Sequence, residues 1–204
     1  MNNNIYNNGR KIPSCYENPI DNILIDFSDK LTHFLYINKI SPNFITILRL
    51  VLICFVIRSL FYTNDINFPI IGSFIFYFMD CLDGNLARST NQVTIFGDYL
   101  DHFTDLFFYI IFIVYIYIKD YDNKYYIYLI FIIFAYLTLV HLGLQQLIYK
   151  YISKNKNIEE ELLDYLNNLH NLDKCNIKWT KYFGSGTFII SILIIIFYIQ
   201  SHSK

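Results

Sequence analysis

An all-α fold is predicted, a polytopic helical bundle crossing a membrane about five to six times with an amphipathic surface helix before the first crossing. Three observations carry this. The 204-residue chain is 54% hydrophobic and only 16% charged, whereas soluble domains carry roughly 25% charged residues. Its apolar residues gather into runs close to the roughly 20 residues that span a bilayer as a helix. The remaining sequence is short and polar, and no internal repeat organises it.

Residues 1–8 are rich in Asn and have no apolar core. They do not read as a cleavable signal peptide, so the first span is expected to direct insertion. In 20–36, Ile20, Ile23, Leu24, Phe27, Leu31, Phe34 and Leu35 recur at helical spacing between polar residues, as in a helix lying on a membrane surface. Spans follow at 44–62, 66–79, 96–118, 125–149 and 183–199. The first contains Arg49 and Arg58, each either snorkelling to the interface or paired with an acid. The second runs directly into Asp80-Cys81-Leu82-Asp83-Gly84. Segment 158–172 sets Ile158, Leu162, Leu166 and Leu169 opposite Glu159, Glu160 and Asp164; it is too polar to span. Gly184-Ser185-Gly186 reads as a close-packed or flexible entry to the last span. The Tyr and Phe stripes read as lipid contacts or interfacial belts.

The formal net charge of −1 gives no footprint for nucleic acid. Cys15, Cys54, Cys81 and Cys175 form no CxxC pair and read as free thiols, with neither a disulfide framework nor a zinc site. Lys and Arg crowd the segment before the first span (Arg10, Lys11, Lys30, Lys39) and that after the fourth (Lys150, Lys154, Lys156, Lys174, Lys178, Lys181). Both are therefore expected on the cytosolic side. The division is an N-terminal segment, 1–40, and a membrane domain, 41–204, with a cytosolic polar loop at 150–181.

The chemistry concentrates at two adjoining span ends. Asp80 and Asp83 are spaced i, i+3, and Asp101 and Asp105 i, i+4, so each pair shares a helix face. The short connection between them predicts an antiparallel pair whose acidic faces meet. Four carboxylates in low dielectric repel strongly unless protons or cations neutralise them. Hard divalent cations, Mg²⁺ or Mn²⁺, take oxygen ligands. A two-metal site suits displacement at phosphorus because it stabilises attacking and leaving oxygens together. Gly84 and Gly97 would let a substrate approach the backbone, and Arg88 offers a planar fork to phosphate oxygens. Solvated helix ends, for the acids, and a snorkelling anchor, for Arg88, are the plainer readings. His102 points off the acid face. His141, with Gln145 one turn on, reads better as a hydrogen-bond partner of a neighbouring helix than as a wall of an acceptor pocket.

The pattern Asp80-x-x-Asp83-Gly84-x-x-Ala87-Arg88, then after eight residues Gly97-x-x-x-Asp101-x-x-x-Asp105, resembles the signature of the CDP-alcohol phosphatidyltransferases. Pro42-Asn43-x-x-Thr46-x-x-Arg49 is similar to the motif opening that family's first span, and the resemblance extends over about 41–149. It implies a bundle around a polar cavity open to the cytosol, two metals held by Asp80, Asp83, Asp101 and Asp105, and Asp105 as the base that activates the acceptor hydroxyl. It also implies that Gly84, Ala87, Arg88 and Gly97 border the CDP moiety, with Thr94 near the diphosphate. The implied partners are a CDP-linked lipid, an alcohol acceptor and membrane lipids; a homodimer is admissible. The implied reaction transfers a phosphatidyl group from CDP-diacylglycerol to the alcohol and releases CMP.

Two features depart from the family pattern. Five spans are counted where six are usual, and Leu106 stands where many relatives carry a basic residue. Leu100-Asp101-His102 resembles instead the aminoalcohol phosphotransferase branch, which uses CDP-choline or CDP-ethanolamine with diacylglycerol. A cation channel or carrier would use the acid cluster without needing Gly84, Ala87 and Arg88.

Overall fold

The computed structural model describes residues 9–63, 65–153 and 177–202. In chain order its helices are α1 (Pro19–Ile37), α2 (Pro42–Tyr62), α3 (Asn67–Ser89), α4 (Ile95–Ile118), α5 (Lys124–Ser153), the short α6 (Ile177–Thr180) and α7 (Ser185–His202). Among the described residues, five stretches are long and apolar enough to cross a membrane: Pro42–Tyr62, Asn67–Ser89, Ile95–Ile118, Lys124–Tyr149 and Lys181–His202. These are the five spans that the apolar runs predict. Segment 158–172 and Cys175 lie outside the described residues, and Cys15, Cys54 and Cys81 are free thiols.

Helix starts follow from local chemistry. Asn18 before Pro19, Ser41 before Pro42 and Thr94 before Ile95 each accept a bond from a first-turn amide, Ile20 N, Phe44 N and Gly97 N respectively, satisfying donors that a helix leaves orphaned. Proline at the first position loses no hydrogen bond there. α3 ends where Asn91 adopts φ 55° and Gln92 N closes back on Ala87 O at 2.8 Å. Asn tolerates this left-handed turn, which sends the chain straight into α4.

α1 carries three faces rather than two. Asp21, Leu24, Ile25, Ser28 and Thr32 are buried on a side packed against α3 and α7. Ile23, Phe27 and Phe34 are more than half exposed and form a separate apolar stripe, the part suited to a bilayer interface. Asp26, Lys30 and His33 are exposed to water on the third side. The sequence pattern merges the first two faces because burial against protein and against lipid both select apolar residues. Buried Asp21 accepts a bond from Tyr77 Oη at 2.5 Å, and burial pushes its carboxyl up to about 7.

Within the bundle the aromatic residues do more than face lipid. Rings of Phe76, Phe108, Tyr109, Phe188, Phe131, Phe112, Tyr115 and Phe61 follow one another at centroid distances of 4.7–6.3 Å. They link α3, α4, α7, α5 and α2. This corrects the reading of the aromatic stripes as lipid contacts throughout. In a membrane, helix association rests on packing rather than on expulsion of water, and large flat rings supply contact area at small entropic cost. The Gly184–Gly186 entry is a close-packed one: a Cβ at Gly186 would lie 2.3 Å from Asp21 Oδ1.

The packing order positions the site. α2 lies closely along both α3 and α4, whereas α3 and α4 do not pack closely on each other. Near their acidic ends α3 and α4 nevertheless meet through side chains, Phe76 stacking on Phe108 at 4.7 Å, and a residue of α2 reaches in among the acids.

Candidate active site

That residue is Arg49, whose side chain is 0% exposed. Its Nη1 pairs with Asp80 Oδ1, lies 2.9 Å from Asp101 Oδ1 and 3.4 Å from Asp83 Oδ2, and its Nη2 donates to Asp105 Oδ1 at 2.8 Å. The approach to Asp101 is an ion pair without hydrogen-bond alignment, since Asp101 Oδ1 has no bonding partner by angle. Phe76 closes the other side, its ring centre 4.8 Å from the guanidinium carbon. All four predicted aspartates thus converge, and Arg49 is paired rather than snorkelling. Arg58, by contrast, is exposed.

A guanidinium in a span is costly without anions, and four carboxylates are costly without cations. Together they still leave three formal negative charges. Asp80, Asp101 and Asp105 each offer a carboxylate oxygen, all within 4.8 Å of one another. Oxygen donors this close, with charge left over, fit hard divalent cations. Two such ions would turn the residual charge from −3 to +1, the sign that holds a phosphate ester. Asp83 is the most enclosed of the four, and Thr46 Oγ1 donates to its Oδ2 at 2.7 Å. Thr46 and Arg49 stand i, i+3 on α2 and so address the acids from one face.

A cleft of about 120 Å³ opens beside the acids, at the C-terminal end of α3 and the N-terminal ends of α2 and α4. Gly84, Ala87, Arg88, Thr94 and Gly97 all line it, together with Asp83 and Asp101. The five residues that the family resemblance assigns to the CDP moiety thus share one cleft. The geometry adds local reasons for two of them. Gly97 lets α2 approach α4, since a Cβ there would lie 2.8 Å from Asn43 Oδ1. Thr94 Oγ1 accepts from Gly97 N at 3.0 Å, so it caps α4 as well as facing the cleft. Arg88 Nε donates to Gly9 O at 2.6 Å, and its terminal nitrogens lie against Gly84, 3.1 and 3.3 Å from where a Cβ would stand.

Lys11, Asn43, Gln92, Asp98, His102 and Tyr149 also line the cleft, none of them singled out from sequence as cleft residues. His102 Nδ1 faces Asp98 O at 2.9 Å, outside the three-carboxylate cluster. His141 belongs elsewhere, as the helix-linking reading has it. Its Nδ1 is 3.3 Å from Thr180 Oγ1 and its Nε2 3.2 Å from Gln145 Nε2. Because that amide nitrogen is a donor, His141 Nε2 accepts and the ring proton sits on Nδ1. Leu106 is 58% exposed on the outer side of α4, where lipid contact accounts for an apolar residue.

Residues 39–201 match the protein family described as CDP-alcohol phosphatidyltransferase. No curated protein and no solved structure matches the chain.

Proposed function

The chain belongs to the CDP-alcohol phosphatidyltransferase family and is thus a transferase of phospholipid biosynthesis, and we propose that it moves a phosphatidyl group from CDP-diacylglycerol to an alcohol hydroxyl and releases CMP. The observation that carries this reading is the convergence of Asp80, Asp83, Asp101 and Asp105 on Arg49 at the head of the cleft.

The donor diphosphate lies at the N-terminus of α4, by Thr94 and Gly97, where helix amides and the positive dipole end favour an anion. Arg88 offers its terminal nitrogens to the same group. Gly84, Ala87 and Gly97 keep this wall of the cleft free of bulk. Arg49 holds Asp105 by one carboxylate oxygen, and the other takes the proton from the acceptor hydroxyl. The hydroxyl oxygen forms a bond to the β-phosphorus as the bond from that phosphorus to the CMP oxygen breaks. Mg²⁺ or Mn²⁺ held by the four aspartates would stabilise negative charge on the attacking and leaving oxygens. The cleft opens to the cytosol, a reading supported by the Lys and Arg around 10–39 and 150–181.

His102 beside the cleft keeps the aminoalcohol branch as the second reading. Purified protein supplied separately with labelled CDP-diacylglycerol plus a panel of alcohols, and with CDP-choline or CDP-ethanolamine plus diacylglycerol, decides between them. Labelled lipid product and CMP are expected from the first combination. Product from the second alone would move the chain to the aminoalcohol branch, and turnover of neither would leave the acid cluster without this chemistry.

A further inference from the structure

Residues 9–18 precede the matched stretch 39–201, yet they complete the cleft. α3 and α5 do not pack closely on each other, and this segment runs from one to the other. At α3, Gly9 O accepts the Arg88 Nε bond, and Gly9 lies so close to Asn85 that a Cβ would sit 1.8 Å from Asn85 Oδ1. At α5, Ile12 is 2% exposed and packs with Leu144, while Gln145 Nε2 donates to the buried Glu17 at 2.5 Å. Beyond Glu17, Asn18 Nδ2 donates to Lys181 O at 2.6 Å and to Thr187 Oγ1 at 2.8 Å. The segment is thus fixed on three sides.

Between Gly9 and Ile12, Lys11 lines the cleft with Tyr149, its Nζ 5.3 Å from the ring centre. Among the described residues that line the cleft, Lys11 and Arg88 are the lysine and the arginine, and Asp83, Asp98 and Asp101 line the same cleft. An ammonium seated over an aromatic face keeps its charge while shedding part of its water. From such a seat a contact to phosphate is stronger than one made by a fully hydrated surface lysine. The Gly9 carbonyl fixes the Arg88 guanidinium by its Nε and leaves the terminal nitrogens for a ligand.

Building on the reading of the cleft as a CDP-lipid site, the geometry points to Lys11 as a specificity-determining residue that binds a phosphate oxyanion of the substrate alongside Arg88. The oxyanion belongs either to the donor diphosphate or to a phosphate carried by the acceptor, and the shared chemistry is the phosphate.

The test compares wild type, Lys11→Gln and Lys11→Arg for CMP affinity, for the KM of CDP-diacylglycerol, and for the KM of glycerol 3-phosphate against glycerol. Lys11→Gln is expected to weaken phosphate recognition about tenfold, as for one charge-assisted contact. A rise in the CMP dissociation constant and the donor KM together assigns the donor diphosphate. A rise confined to glycerol 3-phosphate assigns the acceptor. In either case kcat changes less than KM, and Lys11→Arg, which keeps the cation, recovers most of the loss. Unchanged constants in Lys11→Gln overturn the proposal, and so does a Lys11→Arg protein as impaired as Lys11→Gln, which would mark a packing role. A wild-type protein that neither binds CMP nor turns over the CDP-lipid would instead overturn the functional reading, and this inference with it.

Discussion

Asp105→Asn is expected to lower kcat by about 10²- to 10⁴-fold, the contribution of a positioned base. The substitution keeps the side chain's shape and one oxygen ligand while removing the proton acceptor and one negative charge. Because Asp105 Oδ1 also pairs with Arg49 Nη2 at 2.8 Å and stands in the three-carboxylate cluster, the change also weakens cation binding. Steady-state kinetics across a Mg²⁺ or Mn²⁺ titration separate the two effects. Excess cation restores occupancy but not the missing base. Near-normal turnover at saturating cation would show that another group takes the proton. Arg88→Ala, in the same assay, acts on donor binding and leaves the acids intact.

The second large effect is expected at Arg49. Arg49→Met keeps an unbranched side chain in place but removes the counter-ion of four carboxylates, and breaking a buried ion pair from one side costs about 3–5 kcal/mol. Thermal unfolding in detergent without divalent cations is expected to show a loss of that order. Added Mn²⁺ should then stabilise the variant more than the wild type, because four uncompensated acids attract cations more strongly than acids already neutralised in part. A variant that unfolds like the wild type in chelator would mean that the aspartates do not depend on Arg49.

The spans and the acid spacing were legible for a common reason: both are periodic along one helix. Twenty apolar residues declare a crossing, and i, i+3 and i, i+4 acids declare a face, so Asp80, Asp83, Asp101 and Asp105 could be brought together on paper. What stayed hidden depends on which helix packs where. Arg49 stood among apolar residues with two readings open, and only the placement of α2 along α3 and α4 chooses one. The intramembrane arginine and the surplus of acids were the available signal, each costly alone and less so together. Phe131 and Phe188 sit in apolar stretches of α5 and α7 where no periodicity separates core from lipid, whereas Phe76 and Phe108 stand one turn from Asp80 and Asp105 and share their face. Lys11 lies in a polar, aperiodic segment whose position is set by contacts from Ile12 to Leu144 and from Glu17 to Gln145, more than a hundred residues away in the chain.

Electron paramagnetic resonance titration of Mn²⁺ into purified, chelator-treated protein asks whether these four aspartates form a divalent-cation site. Saturable binding of about two Mn²⁺ per chain is predicted for the wild type, as in two-metal phosphoryl-transfer sites, and its loss in the double variant Asp80→Asn, Asp101→Asn. No saturable binding by the wild type, or equal binding by the double variant, would mean that the four aspartates hold no such cations.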